Sequence, residues 1–473
     1  SVVTEQNAKI ASEYVSLASD SAAHWLTPEL LVLPKLDEEV LYQLLNTSKT
    51  DFDNRILFEV AFPDDLAQKF PHLADFQAYK VDLSASQTKA WLKQQLLVVG
   101  LDKSQHAKKV SFVQTGAVID ALYTQGENDA DEVTDLGATI IDKGVNFKLW
   151  APTAQNVELK VVTVDENLSI ASSPLLITMF EDPNTGMWSV KGNESLKDAY
   201  YQYKISVYHP ESKKIETLIT TDPYSLSLST NSEFSQVVDL NDASTQPKNW
   251  LNHKVPTVLS VEDNIFYETH IRDFSSNDKG LSNDSFRGKY KAFSEQNSYG
   301  IKHLKSLKRA GLNNIHLLPT FDIGTVNEDS QQIIDINDNM SKVCSIAPKA
   351  SICSEPFNAE ESLKSVLQGY DIKGEKAQTI VSELRQLDNY NWGYDPYHYT
   401  VPEGSFAVNP QGKARLIEFR EMVQSLHNLG FRVIMDVVYN HTLESKLESK
   451  SVLDKIVPNY YHRLNTISGK IEQ

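Results

Sequence analysis

The chain has 473 residues, 41% apolar and 9% aromatic. That suits folded globular domains rather than disorder, and more than one of them, because single cores stop growing near roughly 250–300 residues. The formal net charge of −18 repels phosphate backbones and argues against nucleic acid as a partner, and no run of about 18 apolar residues is present, so no membrane span is expected.

From Ser1 the chain shows neither the basic start nor the apolar stretch of a signal peptide. Residues 1–20 read as a polar leader with helical spacing of Ala8, Ile10, Ala11, Tyr14, Val15 and Leu17. From about 24 to 130, short β-like runs such as Leu30–Leu33 and Ile56–Val60 alternate with polar stretches, and Lys89–Leu97 reads as a short helix. A β-rich domain over residues 1–130 is expected. Gly126–Asp135 is acidic and reads as a linker.

Beyond the linker the β pattern is explicit. Val145, Phe147 and Leu149 alternate with Asn146, Lys148 and Trp150; Val157, Leu159 and Val161 alternate with Glu158 and Lys160; and Tyr201, Tyr203 and Ile205 repeat the theme. Turn signals at Asp182-Pro183-Asn184 and Lys191-Gly192-Asn193 separate the runs. Period-two alternation with regular turns predicts an antiparallel β-sandwich over 131–245, followed by a connector over about 241–263.

From 262 the pattern becomes strand–helix–strand. Ile265–Phe274 reads as a strand, Gly300–Ala310 as a helix stopped by Gly311, and Asn314–Leu318 as a second strand. Ala414–Leu429 is a second amphipathic helix stopped by Gly430, with Leu416, Phe419, Val423 and Leu426 on one face. Arg432–Val438 follows as a nearly unbroken apolar strand. Such runs suit parallel strands buried on both faces, in an α/β barrel or a doubly wound sheet. Only about three strands of this kind fit in 262–473, whereas a (β/α)₈ barrel has eight and roughly 250 residues. The fold class is therefore multidomain: a β-rich domain, a β-sandwich and the first part of a TIM barrel.

The chain has two cysteines, Cys344 and Cys353, on a polar stretch with Ser341, Pro348, Ser351 and Ser354. They could close a disulfide or be two unrelated thiols, and both readings stand on spacing alone. Without a CxxC pair, a zinc site is not expected.

Two segments carry candidate chemistry. Asp436 sits late in its strand with Asn440 and His441 just beyond, where barrel enzymes build their sites. A carboxylate in an apolar strand needs a cation or donors. Asp436 is thus a site residue or a strand-end cap, and His441 a ligand-binding or a structural histidine. The stretch Tyr390-Asn391-Trp392-Gly393-Tyr394-Asp395-Pro396 gathers Trp392, two tyrosines and Asp395 in one loop. Aromatic faces pack on the C–H faces of sugar rings, while amides and carboxylates take their hydroxyls. The alternative is a loop that plugs a gap in a core. Trp150 and Trp188 could likewise form a sugar platform or fill the sandwich core. His270 and Arg272 read as wall or barrel-bottom polar contacts.

Three segments together resemble bacterial pullulanases and plant limit dextrinases of the α-amylase family. They are Tyr390–Pro396, Val401-Pro402-Glu403-Gly404-Ser405-Phe406, and Val433–His441 with its Asp436-Val437-Val438-Tyr439-Asn440-His441. Ser451–Pro458 with Tyr460-Tyr461 is similar to the same proteins. Gly144–Pro152 with Asp222-Pro223-Tyr224 resembles a family 48 carbohydrate-binding module, and Ala23-His24-Trp25 with Phe70–Leu73 resembles the extra N-terminal β domain of such pullulanases.

The resemblance implies retaining hydrolysis of α-1,6 branch bonds in pullulan, starch and related α-glucans. An isoamylase or a glycogen branching enzyme is the alternative; a non-catalytic glucan-binding fragment is another. It also implies that Tyr394 stacks on the glucose at the cleavage point, that His441 hydrogen-bonds that sugar, and that Asp436 pairs with an arginine of the next strand. Asn440 would hold the following loop or, in calcium-dependent relatives, help bind a structural calcium; the chemistry itself needs no cofactor. Cys344 and Cys353 would form the disulfide of a secreted or surface protein. The nucleophile and acid/base are expected beyond Gln473, so these residues alone are expected to be inactive. Asp454 does not fit their motifs.

Overall fold

In a computed structural model of the chain, residues 2–47, 53–163 and 173–472 are described. Two units emerge from internal packing: Ser1–Tyr224 together with Glu444–Gln473, and Ser225–Leu443.

The first unit opens with a helix, Val2–Leu17. It is not a solvated leader: Tyr14, Val15 and Ala18 pack on a cluster of Leu45, Leu97, Val99 and Val110. That cluster belongs to an eight-stranded sheet ordered Asp53–Ile56, Leu41–Asn46, Leu96–Leu101, Ala107–Gln114, Asp20–Thr27, Leu30–Leu33, Gln77–Lys80, Phe58–Val60. The helix expected over Lys89–Leu97 runs instead over Ala85–Trp91, because Ser84 and Gln87 form a reciprocal N-terminal cap. Leu96 and Leu97 begin a fully buried strand. The acidic stretch at 126–135 is also more ordered than a linker, with Asp129 capping the short turn Ala130–Glu132.

The sandwich has one sheet ordered Phe180–Asp182, Met187–Asn193, Gly144–Trp150, Gly137–Ile141. Leu175–Thr178, Ala154–Val162, Tyr200–His209 and Lys214–Thr220 build the other. Its alternating apolar positions, among them Val145, Phe147, Val157, Leu159, Tyr203 and Ile205, are buried as period-two patterning requires. Trp150 and Trp188 are core, not platform. Both are buried, and their indole N–H groups donate to the Thr185 and Ala151 carbonyls at 2.9 Å each.

In the second unit three parallel strands lie in the order Phe266–Thr269, Asn314–Leu317, Arg432–Met435. The two predicted helices are Tyr299–Arg309, capped by Ser298, and Lys413–Asn428. Their apolar faces (Ile301, Leu304, Met422, Leu426) join Ile315, Leu317, Phe431, Tyr290 and Phe406 in one core.

Three details depart from the expectation. The first strand ends at Thr269, because His270 turns to accept from the Arg272 N–H and caps a short helix, Ile271–Ser275. The third strand stops at Met435, so Asp436 lies just past its end. The outer strands are not buried on both faces: Phe266, Met435 and Val437 are exposed. Around the cysteines there is also more than a polar loop. The short helices Met340–Ile346, Leu363–Gln368 and Lys376–Leu384 enclose their own core of Val343, Ile352, Leu363 and Ile380, and Cys344 and Cys353 are joined by a disulfide.

Beside the parallel sheet, the hairpin of Phe321–Ile323 with Pro396–Pro402 rests on a buried charge network. Arg415, although on the helix face read as apolar, is fully buried with Asp322, Glu328, Glu403 and His398. Its guanidinium lies 2.7 Å from Glu328 and 3.8 Å from Asp322, and also donates to the Pro402, Ser229 and Pro410 carbonyls. His398 Nδ1 donates to Asp322 at 2.6 Å, and Ser232 donates to the other Asp322 oxygen at 2.7 Å. Glu403 accepts from the backbone N–H groups of Ser405 and Ile323. Burial, then the neighbouring Glu328 and Asp322 carboxylates, push the Glu403 pKa well above the usual carboxylate range.

Removing the one guanidinium beside the buried Asp322 and Glu328 leaves buried carboxylate charge uncompensated. Arg415→Leu is expected to cost about 3–5 kcal/mol of stability, read from the urea midpoint. An unchanged midpoint would show that the network does not hold the hairpin.

Candidate active site

The site is assembled where the parallel strands end. Leu318 N donates to the Thr269 carbonyl and Asp436 N to the Leu317 carbonyl, both at 3.0 Å, so the three exits stay in step. The Tyr390–Pro396 loop lies over these exits. Gly393 has φ of +97°, and a Cβ there would sit 2.9 Å from Pro319 Cβ. Only glycine meets both conditions readily.

The loop is held from several sides. Asn391 Oδ1 accepts from Gly393 N at 2.7 Å, and Asp395 Oδ2 accepts from the Thr325 hydroxyl at 2.7 Å and from Asn391 Nδ2 at 3.0 Å. Asp395 therefore fastens the loop and is not a free acceptor. His270 and Arg272 are not at a barrel bottom, because they follow the C-terminal end of their strand. His270 Nε2 donates to the Asn391 carbonyl at 2.6 Å. Arg272 donates to Asn389 at 3.0 Å and to Asp335 at 3.2 Å, with its guanidinium carbon 5.5 Å from the centre of the Tyr390 ring.

Tyr394, Asp436 and His441 converge. The Tyr394 hydroxyl donates to Asp436 Oδ2 at 2.6 Å. His441 Nε2 lies 2.8 Å from the Tyr394 carbonyl, which only accepts, so Nε2 carries the proton. His441 Nδ1 lies 3.0 Å from the Asn440 side-chain oxygen Oδ1. With the proton on Nε2, Nδ1 and that oxygen are both acceptors and do not bond, so the observed effect of His441 is to fix the Tyr394 backbone. Asp436 has a donor from a loop tyrosine. Glu268 and His316 place ligand atoms within 4.8 Å of those of Asp436. The bond to Asp436, then desolvation, then the Asp436 and Glu268 charges raise the Tyr394 pKa to about 12.

Tyr390, Trp392, Tyr394 and Tyr439 all expose ring surface here, Trp392 at 59% and Tyr439 at 74%. Tyr390 and Trp392 meet edge to face at 5.7 Å. Exposed aromatic faces together with carboxylates, a phenol and an imidazole can grip a ring that presents C–H groups on one face and hydroxyls at its edge. Among the described residues the groups able to share a metal are Glu268–His316–Asp436 and Asp322–Glu328–Glu403. The Arg415 guanidinium faces the second. Sequence reasoning missed Glu268, His316, Thr325, Asn391 and Tyr439. The register Glu268↔His316↔Ile434 brings the first two beside Asp436 and could not be read before the strand order was known.

The second unit gathers exposed aromatic rings and carboxylates at its strand exits, in a chain that also carries a β-sandwich, a combination that suits contact with carbohydrate. Comparison with known proteins narrows the class. The Pullulanase N2 domain matches residues 20–121, carbohydrate-binding module 48 (isoamylase N-terminal domain) matches 135–225, and the Pullulanase Ins domain matches 323–390. The chain is 38% identical to a Klebsiella pneumoniae pullulanase over 95% of its own length and 42% of the relative's. It is 37% identical to the chloroplastic Pullulanase 1 of Arabidopsis thaliana over 89% and 40%. A crystal structure of Klebsiella pneumoniae pullulanase complexed with maltotriose superposes with a TM-score of 0.87 at 36% identity, covering 96% of this chain and 44% of that one. The chain thus matches three domains known from pullulanases and resembles these proteins along almost its whole length, while spanning less than half of either of the two relatives above.

If Asp436 sets the Tyr394 titration, Asp436→Asn should bring that phenol from about 12 toward the ordinary value near ~10. The folded-state pKa is raised, so the stability linked to it is present below pH ~10 and lost as pH rises through the folded value. Tyrosinate absorbance with a Tyr394→Phe control checks this; an unmoved titration would dismiss the contact.

Proposed function

We propose that the whole protein is a pullulanase-type glycoside hydrolase that cleaves α-1,6 branch bonds in pullulan, starch and related α-glucans with retention of configuration, and that this chain supplies its glucan-holding part. The observation that carries the proposal is the convergence of Tyr394, Asp436 and His441 at the parallel strand exits, on a segment that also exposes aromatic rings. The pullulanase kinship supports it along 95% of the chain. In this reading the three parallel strands are the first of a (β/α)₈ barrel, whose sites gather at that end. The domain limits we propose are 1–130, 131–245 and from 262 onward.

Tyr394 supplies the face on which the reacting glucosyl ring stacks, and Trp392 extends it. Asp436 orients the Tyr394 phenol, His441 fixes its backbone, Asn440 holds the following loop, and Asp395 keeps the aromatic loop closed. Retaining hydrolysis uses a nucleophile and an acid about 5–5.5 Å apart. Within residues 1–473 we assign neither: Asp436 is engaged by Tyr394, and Asp454 accepts from the Lys446 and Asn459 backbones at 2.7 Å each. The chain alone therefore binds glucan without cleaving it, and the chemistry requires no cofactor. The disulfide supports an extracellular or surface location; kinship does not decide this, since one relative is chloroplastic.

The full-length protein is expected to release maltotriose from pullulan, and this chain alone no reducing sugar. Tyr394→Ala and His441→Ala in the full-length protein should lower turnover by a factor of about 100 or more through lost positioning, with melting temperature retained. Product analysis decides. Absence of maltotriose would favour an isoamylase or branching reaction, and near-wild-type rates in both variants would remove them from the site.

A further inference from the structure

The first unit contains a cavity of about 580 Å³, a size within the usual range for small-molecule sites, and all the residues lining it belong to that unit. Its walls come from the N-terminal sheet, the sandwich turn at 208–213 and the segment 446–471. Neither the proposed reaction nor the sandwich core uses it.

The chemistry of the lining is specific. Most of the charge is matched locally: Asp20 pairs with Lys109, Glu211 lies 3.5 Å from Lys446, and the Lys213 ammonium sits 5.2 Å from the centre of the Phe112 ring. Lys470 adds a single cation, too little to make an anion site. What faces the space unspent is neutral. The side-chain polar atoms of Gln94, Thr115 and Asn459 make no hydrogen bond among the described residues, although all three line the cavity. On the wall, the buried Thr153 hydroxyl also has no partner, which is uncommon and marks a group that something else satisfies.

The backbone points the same way. Among the described residues ten non-glycine positions have positive φ, and three of them, Lys213 (58°), Lys446 (55°) and Asn459 (60°), line this one cavity. Left-handed backbone is uncommon for lysine and concentrates where a surface is shaped for a ligand.

We propose that this cavity is a second carbohydrate site, which takes a short neutral oligosaccharide. Free amides and hydroxyls on Gln94, Thr115 and Asn459 offer both donors and acceptors to sugar hydroxyls, and Tyr208 supplies an apolar flank. A neutral polyol matches a lining whose charges are already paired, whereas an inorganic anion would meet the Glu211 carboxylate. The assignment of α-glucan as the class of sugar rests on the reading of the Tyr394 site above.

The test is calorimetric titration of the chain with maltotriose. Two sites are expected. Gln94→Leu combined with Thr115→Val should weaken one of them at least tenfold, and Tyr394→Ala should weaken the other. Independently of any variant, saturating maltotriose should slow acetylation of Lys213 and Lys446 several-fold, while inorganic phosphate should not. A double variant with unchanged melting temperature and unchanged stoichiometry would overturn the proposal, as would protection by phosphate alone or unprotected lysines at saturation. If Tyr394-dependent binding persists without the second site, only this proposal falls. If maltotriose binds nowhere, the glucan reading of the Tyr394 site falls as well.

Discussion

One guanidinium among three carboxylates governs the second unit. Arg415 cannot lose its proton, and it is buried with Asp322, Glu328 and Glu403. Two positions in the hairpin depend on this arrangement. Asp322 lies in the Phe321–Ile323 strand, and Glu403 directly follows Pro396–Pro402. A Cβ on Gly404 would collide with the Glu328 carboxylate, which is why Glu403 is followed by glycine. Backbone donors on Gly404, Ser405 and Ile323 take up carboxylate oxygens that Arg415 does not reach. Such a network favours one arrangement of its members over others, because a shifted strand would strand a buried charge.

That constraint carries to the sugar-facing side. The Pro396–Pro402 strand begins where the aromatic loop ends, and Gly324 N donates to the Asp395 carbonyl at 3.0 Å. The loop is thus tied to the hairpin at one end and to His270 and Arg272 at the other. Tyr394 in the middle is bound through its phenol to Asp436 and through its carbonyl to His441. Ring faces stay exposed while every polar atom that sets their angle is already engaged, which is the preorganisation that positioning requires.

Much of this was legible in the sequence. Alternation in Val145–Leu149 and Tyr201–Ile205 marked the sandwich, and Gly311 and Gly430 marked the helix ends because both adopt positive φ. The cluster of Tyr394, Asp436 and His441 was visible as two motifs. What escaped was set by distant partners. Arg415 sits on a helix face whose periodicity reads as apolar, and nothing local to it announces a buried carboxylate more than eighty residues away. Phe266–Thr269 was overextended because Phe274 continues the apolar run, and the His270 cap that ends the strand has no strong signal in composition. The helical core around Cys344 was hidden by its serine-rich loops. Trp150 was ambiguous until the Thr185 carbonyl was found at its indole nitrogen.

The three parallel strands leave Phe266, Met435 and Val437 bare, and both flanking strands have an unpaired edge among the described residues. Exposed apolar side chains next to free backbone donors and acceptors are adhesive. In solution this surface will draw chains together as concentration rises, so colloidal behaviour, more than unfolding, will govern how the isolated chain can be handled. Charge spread elsewhere, net −18, works against that clumping and will do so less as salt is added.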